Sequence, residues 1–206
     1  ITVEGGAALH GCTHRVIGDR IVCATYLCAA AAAGGEVRLT GVDYRAVSTV
    51  ALSLAESGCE VRSEADAVSL RSTGALRSVR PVRTAPYPGF PTDAQPVLMA
   101  ALLRSEGCTV FVENIFENRY RHVDELSRMG AEIRVAGRVA VVNGVRTLHS
   151  AAVKCTDLRG GAALVIAGLS AEGTTRVTEL THIDRGYDAI ERDLAALGAQ
   201  IRRETT

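Results

Sequence analysis

Three aspartates, Asp19, Asp93 and Asp157, each stand at the head of a run rich in alanine, leucine and glycine (RIVCATYLCAAAAAGG, AQPVLMAALLRSEG and LRGGAALVIAGLSAEG). A carboxylate in that place accepts hydrogen bonds from the unpaired N–H groups of a helix's first turn, so each reads first as a helix cap worth about 1 kcal/mol. Arginines gather at the same points: Arg20 beside Asp19, Arg159 two residues after Asp157, Arg119 in FENR and Arg185 in HIDRG. Guanidinium forks bind carboxylate and phosphate in bidentate fashion, and helix starts present the positive end of the backbone dipole. The combination predicts an anion-binding face that also carries carboxylates able to act as bases. One of the three aspartates has an unusual lead-in. APYPGFPTDAQ packs three prolines and a glycine into Pro86–Thr92, a rigid extended loop that delivers Asp93 to a helix start. Pro96 falls in the first turn, where a missing N–H costs nothing. A carboxylate held there could accept a proton from a hydroxyl, given the right geometry.

Positioning such groups takes a repeated scaffold. Three segments share one plan: an aspartate, a long apolar stretch, a glycine, a β-branched run, then a second helical stretch ending in a glycine. They begin at Asp19, Asp93 and Asp157, 74 and 64 residues apart. Each reads as helix, strand, helix, strand. Apolar spacing at Val47, Val50, Ala51 and Leu54, and again at Val123, Leu126 and Met129, predicts amphipathic second helices. Gly58, Gly130 and Gly198 follow them, where a left-handed residue ends a helix. Strands are expected directly after, at 59–61, 131–135 and 199–202. Hairpin signals fall at 65–71 and 138–142, the latter closing on the turn pair Asn143–Gly144. Three βαβαββ-like units around a pseudo-threefold axis, helices inside and sheets outside, satisfy the pattern. The expected class is α/β, with units at about 18–76, 92–147 and 156–205; ITVEG at the start of residues 1–17 reads as part of a strand.

Composition narrows the functions. Lys+Arg and Asp+Glu are equal at 23, so the net charge is zero, which argues against general affinity for nucleic acid or acidic membrane. The longest apolar run, Ile21 to Ala33, is too short to span a bilayer, and no secretory signal is visible at the start. The six cysteines (Cys12, Cys23, Cys28, Cys59, Cys108, Cys155) include no C-x-x-C pair, so no zinc site is expected, and free thiols in a reducing cytoplasm are the simplest reading.

Four tracts, YPGFPTDAQ, IFENRYRHVDELSRMGA, TDLRGGAALVIAGLSAEG and HIDRGYDAIERDLAALGA, together resemble the signature tracts of UDP-N-acetylglucosamine enolpyruvyl transferases. The likeness runs from Ile1 to Arg203. Enolpyruvylshikimate-phosphate synthases share the fold but do not carry FPTDAQ or FENRYRHVDEL in this form. The resemblance implies two lobes, each an inside-out α/β barrel of three repeats, with the active site between them. This chain matches the second lobe over 18–206, with 1–17 resembling the end of a missing first lobe. The implied reaction moves the enolpyruvyl group of phosphoenolpyruvate to the 3′-hydroxyl of UDP-N-acetylglucosamine with release of phosphate, the committed cytoplasmic step of bacterial peptidoglycan synthesis.

The resemblance also assigns roles. Asp93 matches the aspartate that contacts the hydroxyl and serves as its base. Ile115 matches a position whose backbone binds the acceptor. Arg119 and Arg185 match arginines facing the donor anion, Asp157, Leu158 and Arg159 match a segment lining the same pocket, and Asp19 and Arg20 match a further charged pair. No metal or organic cofactor is implied. The family's N-terminal Lys–Asn pair, its mobile loop with the cysteine acid and that loop's phosphate-binding arginine have no counterpart in this chain. Negligible turnover by this half alone is therefore expected. The alternatives are a related transferase with another acceptor, and a non-catalytic half-site or interaction module that complements a separate first lobe.

Overall fold

A helix that is apolar on every side has no face to offer water and must be buried all round. Three stretches here have that character, and they form the centre of the fold. The computed structural model describes residues 1–204. The chain runs α1 (Arg20–Ala33), β1 (Gly35–Thr40), α2 (Tyr44–Glu56), β2 (Glu60–Glu64), β3 (Ala67–Ser72), β4 (Val82–Arg83), α3 (Gln95–Ala101) and β5 (Cys108–Val112). It continues through α4 (Val123–Arg128), β6 (Glu132–Ala136), β7 (Val139–Asn143), β8 (Ala152–Lys154), α5 (Leu158–Ser170), β9 (Arg176–Thr178) and α6 (Ile190–Ala196). A 3₁₀ turn, Thr92–Ala94, leads into α3.

Helices α1, α3 and α5 pack on one another in every pairing. All of α3 is buried, as are Ala24, Leu27, Cys28 and Ala31 of α1 and Ala162 to Ala167 of α5. The many alanines let the three backbones approach closely. Outside this bundle lie three sheets, ordered β1-β3-β2, β4-β5-β7-β6 and β8-β9. In the second, Phe111, Ala140 and Val142 point inward and are buried, while their neighbours along the strands are more exposed. Alternation of this kind marks a sheet with one face on the core.

The second helices pack by the predicted stripe: Val47, Val50, Ala51 and Leu54 of α2 are buried, as are Val123, Leu126 and Met129 around α4. Each ends in the same cap. Gly58, Gly130 and Gly198 have φ of 109°, 90° and 100°, and the residue after each donates its amide to a carbonyl five residues back (Cys59 to Leu54, Ala131 to Leu126, Ala199 to Leu194). This is the Schellman closure, and a Cβ in that left-handed region would be strained.

The three units differ in completeness. The middle one, β4-α3-β5-α4-β6-β7, is a full βαβαββ unit. The first has no strand before α1 among the described residues, so 1–17 lies in no strand, contrary to expectation. The third stops after α6, and 199–202 is not a strand either. In the other two units the strand after the second helix pairs with a central strand, β3 or β7. A strand is defined by its ladder, and among the described residues 199–202 has no such neighbour. A cavity of about 610 Å³ opens there, lined by Ala33, Val165, Val177, Leu194 and Ile201 among others.

The β6–β7 turn sits at Gly137–Arg138, before β7 rather than at the Asn143–Gly144 signal that follows it. β6 and β7 are joined through Gly137 at φ 57°, whereas Asn143 ends β7. Gly144 serves close approach instead: a Cβ there would collide with the Ser105 carbonyl oxygen. Cys23, Cys28, Cys59 and Cys155 are buried and Cys12 and Cys108 exposed. Burial pushes the Cys23 thiol up to about 12 and that of Cys155 to about 11, with nearby carboxylates adding to the rise. No helix among the described residues is long and apolar enough to cross a membrane.

Candidate active site

The helix caps come first because they orient the rest. Asp19 accepts the amides of Ile21 and Val22 at 2.7 and 3.1 Å at the start of α1. Asp157 accepts those of Arg159 and Gly160 at 3.0 and 2.9 Å at the start of α5. Both are caps, as their positions predict.

Asp93 is not. It lies within the 3₁₀ turn, whose cap position is Pro91, and neither that turn nor α3 has a side-chain cap bond. The reason is a lack of free amides. Ala94 N–H bonds the Pro91 carbonyl, Gln95 N–H bonds the Thr92 carbonyl, and Pro96 has no N–H. With nothing to cap, the carboxylate turns to cations. Oδ1 meets Arg119 Nη2 at 2.7 Å and Oδ2 meets Arg159 Nε at 3.2 Å.

Both arginines are firmly held. Their side chains are only 13% and 12% exposed, against 39% for Asp93, so the cluster is closed around the guanidiniums and open at the carboxylate. Arg119 comes from the loop between β5 and α4. Its Nε and Nη2 also reach the Thr92 carbonyl at 3.3 and 3.1 Å, and its guanidinium lies 5.4 Å from the Phe116 ring centre. Arg159, in the first turn of α5, bonds the Tyr187 hydroxyl through Nη1 at 3.2 Å and stands 5.7 Å from that ring's centre. Tyr187 in turn meets Thr25 of α1 at 2.8 Å. Residues of α1, of α5 and of the turn leading into α3 are thus tied at one end of the bundle. Among the described residues, Nη1 of Arg119 and Nη2 of Arg159 have no partner, leaving donors for an outside anion.

The other expected residues are placed as follows. Arg20 lies with its guanidinium 5.2 Å from the Tyr87 ring centre, joining the start of α1 to the proline-rich lead-in. Leu158 opens α5 and packs under Gly186, where a Cβ would come within 2.8 Å of it. Ile115 is exposed, and its amide is already bonded to Glu113. Arg185 is exposed and makes no hydrogen bond or ion pair among the described residues, so the structure does not join it to the Asp93 cluster.

Sequence reasoning missed Tyr187, the Thr92 carbonyl, Glu113 and His122. His122 is fully buried with both ring nitrogens unpartnered. Desolvation by burial pushes its pKa down to about 4, against a raising influence from Asp157, with Arg119 lowering it further. It is therefore a neutral imidazole at pH 7. Gly160 exists for this contact: a Cβ there would meet the His122 Cβ at 2.9 Å. Tyr187 could have been suspected from its place in HIDRGYDAI, but a tyrosine there reads equally well as core. A cavity of about 370 Å³ lies beside Arg119, bordered by Asn118, Arg121, Asp124 and Thr156. It is smaller than the cavity by the third sheet, yet it adjoins the charged cluster, whereas none of Asp93, Arg119 and Arg159 lines the larger one.

Comparisons with known proteins bear on the family and the fold. Among curated relatives, a UDP-N-acetylglucosamine 1-carboxyvinyltransferase of Gluconacetobacter diazotrophicus is 51% identical over 203 residues, covering 98% of this chain and 48% of that protein. One from Desulfofundulus thermocisternus is 50% identical, with 98% of this chain and 84% of that protein covered. The chain spans about half the length of the first of these and of several other curated relatives it matches. Among solved structures, the enolpyruvyl transferase NikO from Streptomyces tendae superposes with a TM-score of 0.79 at 30% identity, over 91% of this chain and 44% of that one. EPSP synthase from Acinetobacter baumannii gives 0.72 at 21% identity, a likeness of fold. The family profile of EPSP synthase (3-phosphoshikimate 1-carboxyvinyltransferase) matches residues 1–194, and the chain belongs to that family of enolpyruvyl transferases.

Proposed function

We propose that this chain is the lobe of a UDP-N-acetylglucosamine enolpyruvyl transferase that supplies the hydroxyl base and the donor-binding arginines. The observation that carries the reading is Asp93 held between Arg119 and Arg159, with an unpartnered donor left on each guanidinium. An enolpyruvyl donor brings a phosphate and a carboxylate, and fork-shaped cations suit both. When those anions take the arginines, the grip on Asp93 loosens and its carboxylate can accept the proton of the sugar 3′-hydroxyl. The hydroxyl oxygen then bonds to the enol carbon while the donor's methylene takes a proton, giving a tetrahedral ketal. Its collapse returns a proton from the methyl group and expels phosphate, so atoms balance across addition and elimination. Asp93 is the base; Arg119, Arg159 and Arg185 bind the donor; the Ile115 backbone meets the acceptor; Asp157 and Leu158 line the pocket, and Asp19 and Arg20 border it.

The acid that protonates the methylene is assigned to a first lobe, together with the lid. The site lies on an open face rather than in a closed cavity, as one wall of a cleft would. The proposed partners are therefore the two substrates and that first lobe, and the proposed setting is the cytoplasm of a bacterium building peptidoglycan.

Phosphate release with both substrates tests this. The chain alone is expected to be silent and the chain mixed with a first lobe active; catalysis by the chain alone would overturn the division of labour. Offering a shikimate phosphate as competing acceptor checks the substrate, and preference for it would move the assignment to the other branch of the family. Titration calorimetry with the UDP-sugar shows whether the half-site binds by itself.

A further inference from the structure

Glu113 is 1% exposed and makes no ion pair among the described residues. A buried carboxylate of this kind is costly unless its oxygens are fully bonded. They are. Oε1 accepts the Thr84 hydroxyl at 2.8 Å and the amides of Ile115 and Phe116 at 2.8 and 3.0 Å, while Oε2 accepts the Thr92 hydroxyl at 2.9 Å. These four donors come from three separate places: the end of β4, the loop after β5, and the turn that carries Asp93. Thr84 extends the network by accepting the Asn114 amide at 2.8 Å and bonding its side chain at 3.1 Å. Thr92 is gripped twice, its hydroxyl by Glu113 and its carbonyl by Arg119.

We infer that Glu113 is a positioning residue that sets the Asp93 turn and the Ile115–Phe116 backbone as one rigid unit, so that the base and the acceptor-facing loop keep a common geometry. The role assigned to those two elements rests on the function proposed above; the coupling itself rests on the hydrogen bonds alone. A carboxylate is needed for reach rather than for charge. Glutamine can place its oxygen where Oε1 stands and its NH₂ toward Thr92, whose hydroxyl turns round to accept.

Three variants separate positioning from bulk stability. Glu113→Ala removes every link, Glu113→Gln keeps the shape, and Thr92→Val cuts only the link to the Asp93 turn. In the 206-residue chain, amide exchange at Ile115 and Phe116 is expected to quicken on the order of tenfold or more in Glu113→Ala. It should stay near wild type in Glu113→Gln and in Thr92→Val. In the chain reconstituted with a first lobe, Thr92→Val is expected to lower kcat about tenfold with little change in KM for the UDP-sugar. Glu113→Ala should worsen both, and Glu113→Gln should recover to within about threefold of wild type. Unchanged exchange at both amides in Glu113→Ala overturns the coupling. So does a kcat loss that simply follows the fall in melting temperature across all three variants. If wild type shows no turnover with the first lobe, the functional reading fails, and the exchange data still decide whether Glu113 holds the loop to the turn.

Discussion

At the start of α5, Asp157 accepts two backbone amides, at 3.0 and 2.9 Å; at the start of α3, Asp93 accepts none and meets two guanidiniums at 2.7 and 3.2 Å. The two residues stand at equivalent places in successive repeats. What separates them is the supply of donors around each. The first turn of α5 begins Leu158-Arg159-Gly160, with free N–H groups pointing at the cap. The approach to α3 consumes its amides in a 3₁₀ turn and adds a proline, so its aspartate is left for side chains. A repeat therefore hands down a backbone position, and the local donor count decides whether the carboxylate there caps a helix or meets side chains.

The comparison can be broken most severely through activity. In the chain reconstituted with a first lobe, Asp93→Asn is expected to cut kcat by about 10²–10⁴-fold, the range of a lost general base. It should spare the helix, because Asp93 caps nothing; a loss of helix content in Asp93→Asn by circular dichroism would contradict the assignment.

A second effect belongs to the α5 side, where His122 packs against Gly160. Its pKa is lowered to about 4 in the fold, below the ordinary histidine value, so the unfolded chain binds the extra proton. Stability from this group is complete above about pH 6.5 and is lost as pH falls toward about 4, by about 3 kcal/mol at the bottom of that window. Urea titrations of wild type and His122→Leu across this range should diverge, the variant showing the flatter profile. Parallel curves would show that the imidazole does not stay neutral.

Caps come next. Asp157→Ala and Asp19→Ala are each expected to cost about 1 kcal/mol, while Asp157→Asn, which can still accept the amides, should cost far less. Chemical denaturation midpoints measure all three, and an equal loss in Asp157→Asn would mean that charge, not capping, matters there. The smallest effect concerns the lead-in loop. Tyr87→Ala removes the ring beneath Arg20 and should cost about 0.5 kcal/mol at this exposed site. A much larger shift in melting temperature would show that the ring anchors the loop.

Much of the architecture could be read in advance. The stripe Val47, Val50, Ala51, Leu54 and the glycines at 58, 130 and 198 depend on neighbours within one turn, and they appear as expected. Strands at 199–202 and in 1–17 do not, because a strand needs a partner and periodicity carries no information about whether one is present. The site was legible in part. Asp93, Arg119 and Arg159 were all singled out, but nothing in their spacing showed that the first would sit between the other two. Arg185, chosen by the same likeness, makes no hydrogen bond or ion pair with them among the described residues, and Glu113 and His122 gave no sign, since a buried polar residue looks like any other until its surroundings are known.

Local chemistry was thus enough to name the helix starts, their glycine ends and the residue types able to bind an anion, because capping and amphipathic packing act over three or four residues. Only the tertiary structure brought Arg159 of the third repeat onto Asp93 of the second. It also brought the Thr84 and Thr92 hydroxyls onto the two oxygens of Glu113. Hydrogen bonds of that kind join groups 21 to 66 residues apart in the chain, and only the packing of the three central helices sets those distances.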